Sequence, residues 1–238
     1  REKIHSGESI LVEATSGNTG IALSAAAAKL GCSCIIIMPC NMSPQRKQMM
    51  TAFGAEIVEV GPNDFKGAIK LRDQMIASNP EKIWCPFQFE NPINIDCHYS
   101  VTAPEICEQV TDLNKRWDVF VHGAGTGGTM MGVKQYIDIN DLGVACVLTT
   151  PAESAEEHGI QGINDGADFL LQRSLMDEII EVKTEDAKCR MKRFAKETGL
   201  LVGISSGANI IAAETYLANY NTEGVVVTML CDRGERYL

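Results

Sequence analysis

Short apolar runs of strand-forming residues alternate with longer amphipathic runs along the whole chain. That alternation is the pattern of a parallel sheet covered by helices. Strand-like runs fall at 9–14, 33–38, 56–60, 82–86, 118–122, 144–149 and 225–230, with 178–183 as one more candidate. Helices are expected between them at 19–30, 43–53, 65–78, 100–111, 127–137, 184–199 and 207–219. Hydrophobic residues make up 45% of 238 positions, enough for a substantial core, which argues against disorder. The turn-rich stretch Gln88-Phe89-Glu90-Asn91-Pro92-Ile93-Asn94 interrupts the pattern. Two α/β domains are therefore expected, 1–98 and 99–238, each an open twisted parallel sheet flanked by helices.

Three glycine-bearing turns carry the chemistry. Thr15-Ser16-Gly17-Asn18-Thr19-Gly20 follows the apolar Ile10-Leu11-Val12 and opens an alanine-rich helix. N–H groups at a helix start lack intrahelical partners, and the helix dipole favours negative charge there, so such a turn is an anion seat. Ser, Thr and Asn also cap helices routinely, so this turn alone reads equally as a polar cap. Gly123-Ala124-Gly125-Thr126-Gly127-Gly128-Thr129 satisfies G-x-G-x-x-G through Gly123, Gly125 and Gly128. A dinucleotide site would want a carboxylate near the end of the next strand, but that strand ends Val147-Leu148-Thr149-Thr150, and none comes before Glu153. A P-loop would need a following Lys-Ser or Lys-Thr, which is missing. What remains is a phosphate cradle of backbone N–H groups and two threonine hydroxyls. The third turn, Gly203-Ile204-Ser205-Ser206-Gly207, precedes the apolar helix and, alone, is equally a cap. Ligand sites in such folds lie at the carboxyl ends of strands. A ligand with a phosphate, a ring nitrogen and a carboxylate would use all three turns.

Formal charge is −10, which argues against nucleic acid and anionic membrane surfaces but not against small anions seated on backbone. No apolar run reaches membrane-spanning length, and the N-terminus is not a signal peptide. Nine cysteines, an odd number without C-x-x-C pairs, read as a reduced cytoplasmic protein with neither disulfides nor structural zinc. His98, His122 and His158 are scattered, so no metal site is expected; His122 ends the strand feeding the phosphate turn and is expected to pack. Met49 and Met50 read as core filler, Arg46 and Lys47 as a solvated face.

VEATSGNTGIALSAAAAKLG, MPCNMSPQRKQMMTAFGAEIVEV, QFENPINIDCHYSVTAPEI, GAGTGGTMMGV, IQGINDG, GISSGAN and CDRGERYL occur in this order over essentially the whole chain. Together they resemble the cysteine synthase (O-acetylserine sulfhydrylase) family of fold-type-II pyridoxal-phosphate enzymes, which share a tryptophan-synthase-β-like architecture. VEATSGNTG, HYSVTAPEI and CDRGERYL are most similar to the cysteine synthase B type. The resemblance implies that pyridoxal 5′-phosphate is the cofactor. Thr15, Ser16, Gly17 and Thr19 would hold the substrate α-carboxylate with Gln88, and Asn18 would meet the 3′-oxygen of the pyridoxal ring. Gly125, Thr126, Gly127, Gly128 and Thr129 would cradle the phosphate, Ser205 would meet the pyridine nitrogen, and Phe89 would line the site. A neutral hydroxyl at Ser205 leaves that nitrogen largely unprotonated, which suits β-elimination over transamination. The implied reaction is β-replacement: O-acetylserine loses its α-proton and acetate, and sulfide adds to give cysteine. The family closes a small subdomain, here about 33–78, over its substrate; its members form homodimers and accept the tail of serine acetyltransferase at the active site.

Three departures qualify the resemblance. The family's Schiff-base lysine lies upstream of the TSGNTG turn in a Ser-x-Lys-Asp-Arg context. No lysine before Thr15 has those surroundings, Lys3 included. The lysine is therefore expected upstream of Arg1, on a longer polypeptide whose abrupt start here resembles the end of a helix. The alternative is a naturally short, lysine-less binding or regulatory relative. Ile163-Asn164-Asp165 stands where B-type enzymes that accept thiosulfate or phosphorylated serine often carry arginine; Asp165 would repel an anion, so O-acetylserine with sulfide is the expected pair. Ala103 replaces a usual glycine. Cystathionine β-synthase and serine or threonine dehydratase are the alternatives within the fold, although dehydratases usually vary the asparagine turn.

Overall fold

A computed structural model describes residues 4–154, 157–163, 168–220 and 224–237. The chain divides into two compact units, Arg1–Gln88 and Phe89–Leu238. The division falls at the start of the turn-rich connector, because Ile95 joins the core of the second unit. Asn164 and Asp165 lie outside the described residues, as does Lys3.

In the first unit, β1 (Ile10–Ala14), β2 (Ser33–Pro39), β3 (Glu56–Val60) and β4 (Ile83–Trp84) form a parallel sheet in the order β3-β2-β1-β4. Side chains alternate across a strand, so Leu11, Cys34, Ile36 and Met38 face one side. There they pack with Ile21 and Ala27 of α1 (Asn18–Leu30) and Met50 of α2 (Pro44–Ala52). Val12, Ala14 and Ile37 face the other side, with Ala68 of α3 (Phe65–Ser78). Only Ile83 and Trp84 of the expected strand 82–86 pair with β1. Pro86 has no N–H for a ladder, and the following backbone bonds side chains instead: Phe87 N–H reaches Cys85 Sγ and Gln88 N–H reaches Glu13 Oε2.

The second unit opens with α4 (Ile93–Cys97), a π-helical stretch (His98–Thr102) and α5 (Ala103–Asp112), where sequence predicts one helix at 100–111. Pro104 has no N–H to return to the preceding turn, and the ladder widens just before it. β5 (Trp117–Gly123), β6 (Ala145–Pro151), β7 (Glu178–Val182) and β8 (Val225–Thr228) form a second parallel sheet, ordered β7-β6-β5-β8. Phe120, Cys146 and Leu148 pack against α5 and α6 (Gly128–Ile139). Val119, Val121, Val147 and Ile180 pack against α7 (Thr184–Thr198) and α8 (Ile204–Asn219). α8 begins at Ile204, not at 207 as expected. Ser and Gly argue against helix, but burial of Ile204, Ser205 and Ser206 against the sheet outweighs that preference.

Both sheets have the same wiring. The chain steps outward over three strands, then crosses back to add the last beside the first. The strand order therefore reverses at β1 and at β5, and the two glycine turns follow those two strands. Ligands of open α/β sheets gather at such switch points. All nine cysteines are free thiols; Cys34, Cys85 and Cys146 are buried, whereas Cys40, Cys97, Cys189 and Cys231 are exposed. Among the described residues no helix is long and apolar enough to cross a membrane.

Candidate active site

In the first unit the turn after β1 is anchored by Thr15, whose N–H donates to Ile37 O at 3.0 Å. The Thr15 hydroxyl accepts the Gly17 N–H at 3.4 Å. Gly17 then stands at the N-cap of α1 in extended conformation, and no side chain caps the helix. The hydroxyls of Ser16 and Thr19 find no partner among the described residues, so the helix start presents unused donors instead of a closed polar cap. A Cβ built on Gly17 meets nothing within 4 Å, so no neighbouring protein atom requires a glycine there. Gly20 is different: its Cβ would lie 2.7 Å from Met50 Cε, so this glycine lets α1 approach α2. Gln88 is brought to the same strand end, with its Nε2 donating to Ala14 O at 3.1 Å. Thr15 to Thr19 and Gln88 thus share the carboxyl end of β1.

The sequence reading missed what lies beneath this turn. Arg46 is not on a solvated face: it is 4% exposed, and its Nη1 donates to Ser16 O at 3.4 Å. Basic residues on a helix usually snorkel outward; here α2 packs so closely on α1 that the guanidinium stays under the turn. Glu13 is fully buried one residue before Ala14. Met50 is fully buried, as core filler should be.

In the second unit the turn after β5 is formed by glycines with structural reasons. Gly127 has φ +91° at the N-cap of α6, and a Cβ there would lie 2.5 Å from Leu171 N. A Cβ on Gly125 would lie 2.6 Å from Gly162 O, and one on Gly128 would overlap the Asn94 amide. The backbone N–H groups of Gly125, Thr126, Gly127 and Thr129 have no acceptor among the described residues, and the Gly128 N–H turns back to Thr126 Oγ1 at 3.3 Å. Thr126 Oγ1 also accepts from Asn94 Nδ2 at 3.0 Å. With both lone pairs engaged, this hydroxyl has its proton left to give outward. Thr129 Oγ1 lies 3.1 Å from His98 Nε2, and His98 Nδ1 lies 2.9 Å from Thr102 Oγ1. Burial lowers the pKa of His98, so this bridge from the π-helical stretch to the turn is a neutral one. Asn94 and His98 were legible only as members of quoted motifs.

Ser205 is buried in the first turn of α8, and the neighbouring Ser206 hydroxyl accepts the Cys231 N–H at 3.0 Å. One turn on, Asn209 Oδ1 accepts the Gly123 N–H at 2.8 Å, which ties α8 to the end of β5. The Asn209 amide nitrogen lies 3.3 Å from His122 Nδ1. An amide nitrogen only donates, so His122 accepts at Nδ1 and keeps its ring proton on Nε2. Burial, and then the nearby His98, push the pKa of His122 down to about 4. His122 is thus a neutral packing residue. Phe89 stacks on Phe169 with ring centroids 4.3 Å apart.

A sheet switch point whose turn carries N–H groups without acceptors among the described residues, with a buried serine on α8, is a donor set that suits a phosphate-bearing ligand. The pyridoxal-phosphate dependent enzyme family matches residues 1–232, and the chain belongs to that family. Within it the chain is similar to cysteine synthases. Cysteine synthase A of Escherichia coli strain K12 is 40% identical over 96% of this chain and 75% of its own length. Cysteine synthase B of Campylobacter jejuni is 41% identical over 97% and 78%. Both types therefore match, including the B type to which several motifs pointed. Among solved structures, a cysteine synthase from Entamoeba histolytica superposes with TM-score 0.87 at 37% identity, covering 98% of this chain and 70% of that one. An O-acetylserine dependent cystathionine β-synthase from Helicobacter pylori superposes with TM-score 0.88 at 32% identity, covering 97% and 77%. The fold is that of the fold-type-II enzymes, and the cofactor is pyridoxal phosphate.

Proposed function

We propose that this protein forms L-cysteine from O-acetyl-L-serine and sulfide, using pyridoxal 5′-phosphate. The observation that carries the reading is the turn after β5, with four unpaired N–H groups and the Thr126 proton directed outward at the start of α6. That donor set fits a phosphate dianion. When bound, the cofactor supplies the electron sink for loss of the substrate's α-proton and acetate.

The chain's own residues bind and orient. Gly125, Thr126, Gly127, Gly128 and Thr129 hold the phosphate, and Ser205 offers the pyridine nitrogen an uncharged partner. Asn18 serves the ring oxygen. Thr15, Ser16, Gly17, Thr19 and Gln88 hold the substrate carboxylate; the unused hydroxyls of Ser16 and Thr19 and the empty space beside Gly17 support this. Arg46 adds positive charge beneath that turn, which favours an anion above it. The reading also includes a homodimer, docking of a serine acetyltransferase tail, and residence in the reducing cytoplasm, which nine free thiols suit.

Similarity to an O-acetylserine dependent cystathionine β-synthase favours a second reading, in which the same serine is activated but a larger thiol adds. Purified full-length protein given pyridoxal phosphate should acquire a visible absorption band that O-acetylserine changes and sulfide restores, with cysteine appearing in the medium. A protein that gains no band and releases no cysteine would overturn the proposal. Turnover with a larger thiol but not with sulfide would select the second reading.

A further inference from the structure

Glu13 is a fully buried carboxylate in β1, an interior strand of the first unit's sheet. A buried charge costs several kcal/mol unless paired and hydrogen-bonded. Oε1 accepts the Ala14 N–H at 2.9 Å and Arg72 Nη1 at 3.3 Å, and Oε2 accepts the Gln88 N–H at 3.0 Å. Arg72, 2% exposed on α3, also bonds Asp73 and lies 4.9 Å over the ring of Phe87. Phe87 holds φ +52°, in the left-handed region that a bulky residue avoids. So α3, β1 and residues 85–88 meet on one ion pair, and the strained residue beside Gln88 is clamped by the same arginine.

An apolar side chain could fill this space. It could not accept two backbone N–H groups, one leading into the turn at 15–20 and the other belonging to Gln88. The Gln88 amide closes the loop by donating to Ala14 O at 3.1 Å. We infer that Glu13, held by Arg72, is a positioning residue that sets the spacing between the 15–20 turn and Gln88, so that both can grip one carboxylate. Because Arg72 belongs to α3, this alignment also depends on α3 being docked. The inference rests on the reading of Thr15 to Thr19 and Gln88 as carboxylate contacts.

The test is a double-mutant cycle on the holoenzyme, with Glu13→Gln, Gln88→Ala and both together. A glutamine has one oxygen for two N–H groups and brings a donor against one of them. Glu13→Gln should raise KM for O-acetylserine, and the calorimetric Kd for L-cysteine, about tenfold, with kcat changed less than about threefold. In the Gln88→Ala background the same change should add nothing. A drop in melting temperature with KM and Kd intact, or effects that multiply in the double variant, would overturn the inference. Gln88→Ala without effect on KM or Kd would overturn the carboxylate reading itself and this inference with it. Should Glu13→Gln not fold, Arg72→Lys keeps the charge but loses the fork. It should raise KM several-fold in the native background and not in Gln88→Ala; any other pattern refutes the positioning role.

Discussion

Two hydrogen bonds converge on the Thr126 oxygen, from Asn94 and from Gly128 N–H, and they decide where its proton can go. Thr126→Val keeps the shape, removes the acceptor and orphans two donors. It should weaken pyridoxal phosphate binding about tenfold or more, measured by equilibrium dialysis, while Thr126→Ser stays within about threefold of the native protein. At the other turn, Asn18 is exposed and Ser16 half-buried at the start of α1. Asn18→Ala and Ser16→Ala should therefore raise KM for O-acetylserine while shifting the urea midpoint little, because surface truncations stay within about 0.5 kcal/mol. A stability loss like that of a core deletion, with activity per folded molecule intact, would remove both from the site.

The N-terminus of α6 depends on glycine at a left-handed N-cap. Gly127→Ala would meet both φ +91° and the backbone of Leu171. It should cost about 2–3 kcal/mol in denaturant unfolding and abolish phosphate binding, because the turn must move to admit the methyl group. The elements were legible in the sequence: periodicity showed the flanking strand and helix, and G-A-G-T-G-G-T marked the turn between them. The supports beneath the turns were not legible. Glu13 and Arg72 are 59 residues apart, and Asn94 and Thr126 are 32 apart. No local pattern marks pairs made by sheet topology. Arg46 misled for a related reason: its helix carries polar residues on several faces, and only the approach of α2 to α1 at Gly20 shows which one is covered. The widened turn at His98–Thr102 left a weak signal in Pro104, but a proline near a helix start is also compatible with an ordinary beginning.

For the molecule as a whole, buried titratable groups limit stability at both ends of the pH range. His122 titrates near 4 when folded against 6.5 when unfolded, so below pH 6.5 the unfolded state takes up a proton that the native state refuses. Its neutral burial is fully compatible with folding above pH 6.5, and about 3 kcal/mol should be lost as pH falls toward 4. His122→Asn should flatten that acid limb of the urea-midpoint profile; an unchanged slope would contradict the assignment. Burial pushes the thiols of Cys85 and Cys146 from 9.0 up to about 12, with the Glu13 carboxylate adding to the shift at Cys85. The native state keeps those protons where the unfolded chain releases them, so stability should fall again as pH rises above about 9. The same burial bears on the chemistry of the proposed product. An enzyme that makes a free thiol bathes itself in a reagent for disulfide exchange, which proceeds only through exposed sulfur and thiolate. Holding Cys85 and Cys146 protonated and out of reach keeps the interiors of both units out of that traffic, and leaves Cys40, Cys97 and Cys189 as the sulfurs on which mixed disulfides with cysteine would collect under oxidising conditions, since the thiol of Cys231, the other exposed cysteine, is pushed up to about 11 by burial.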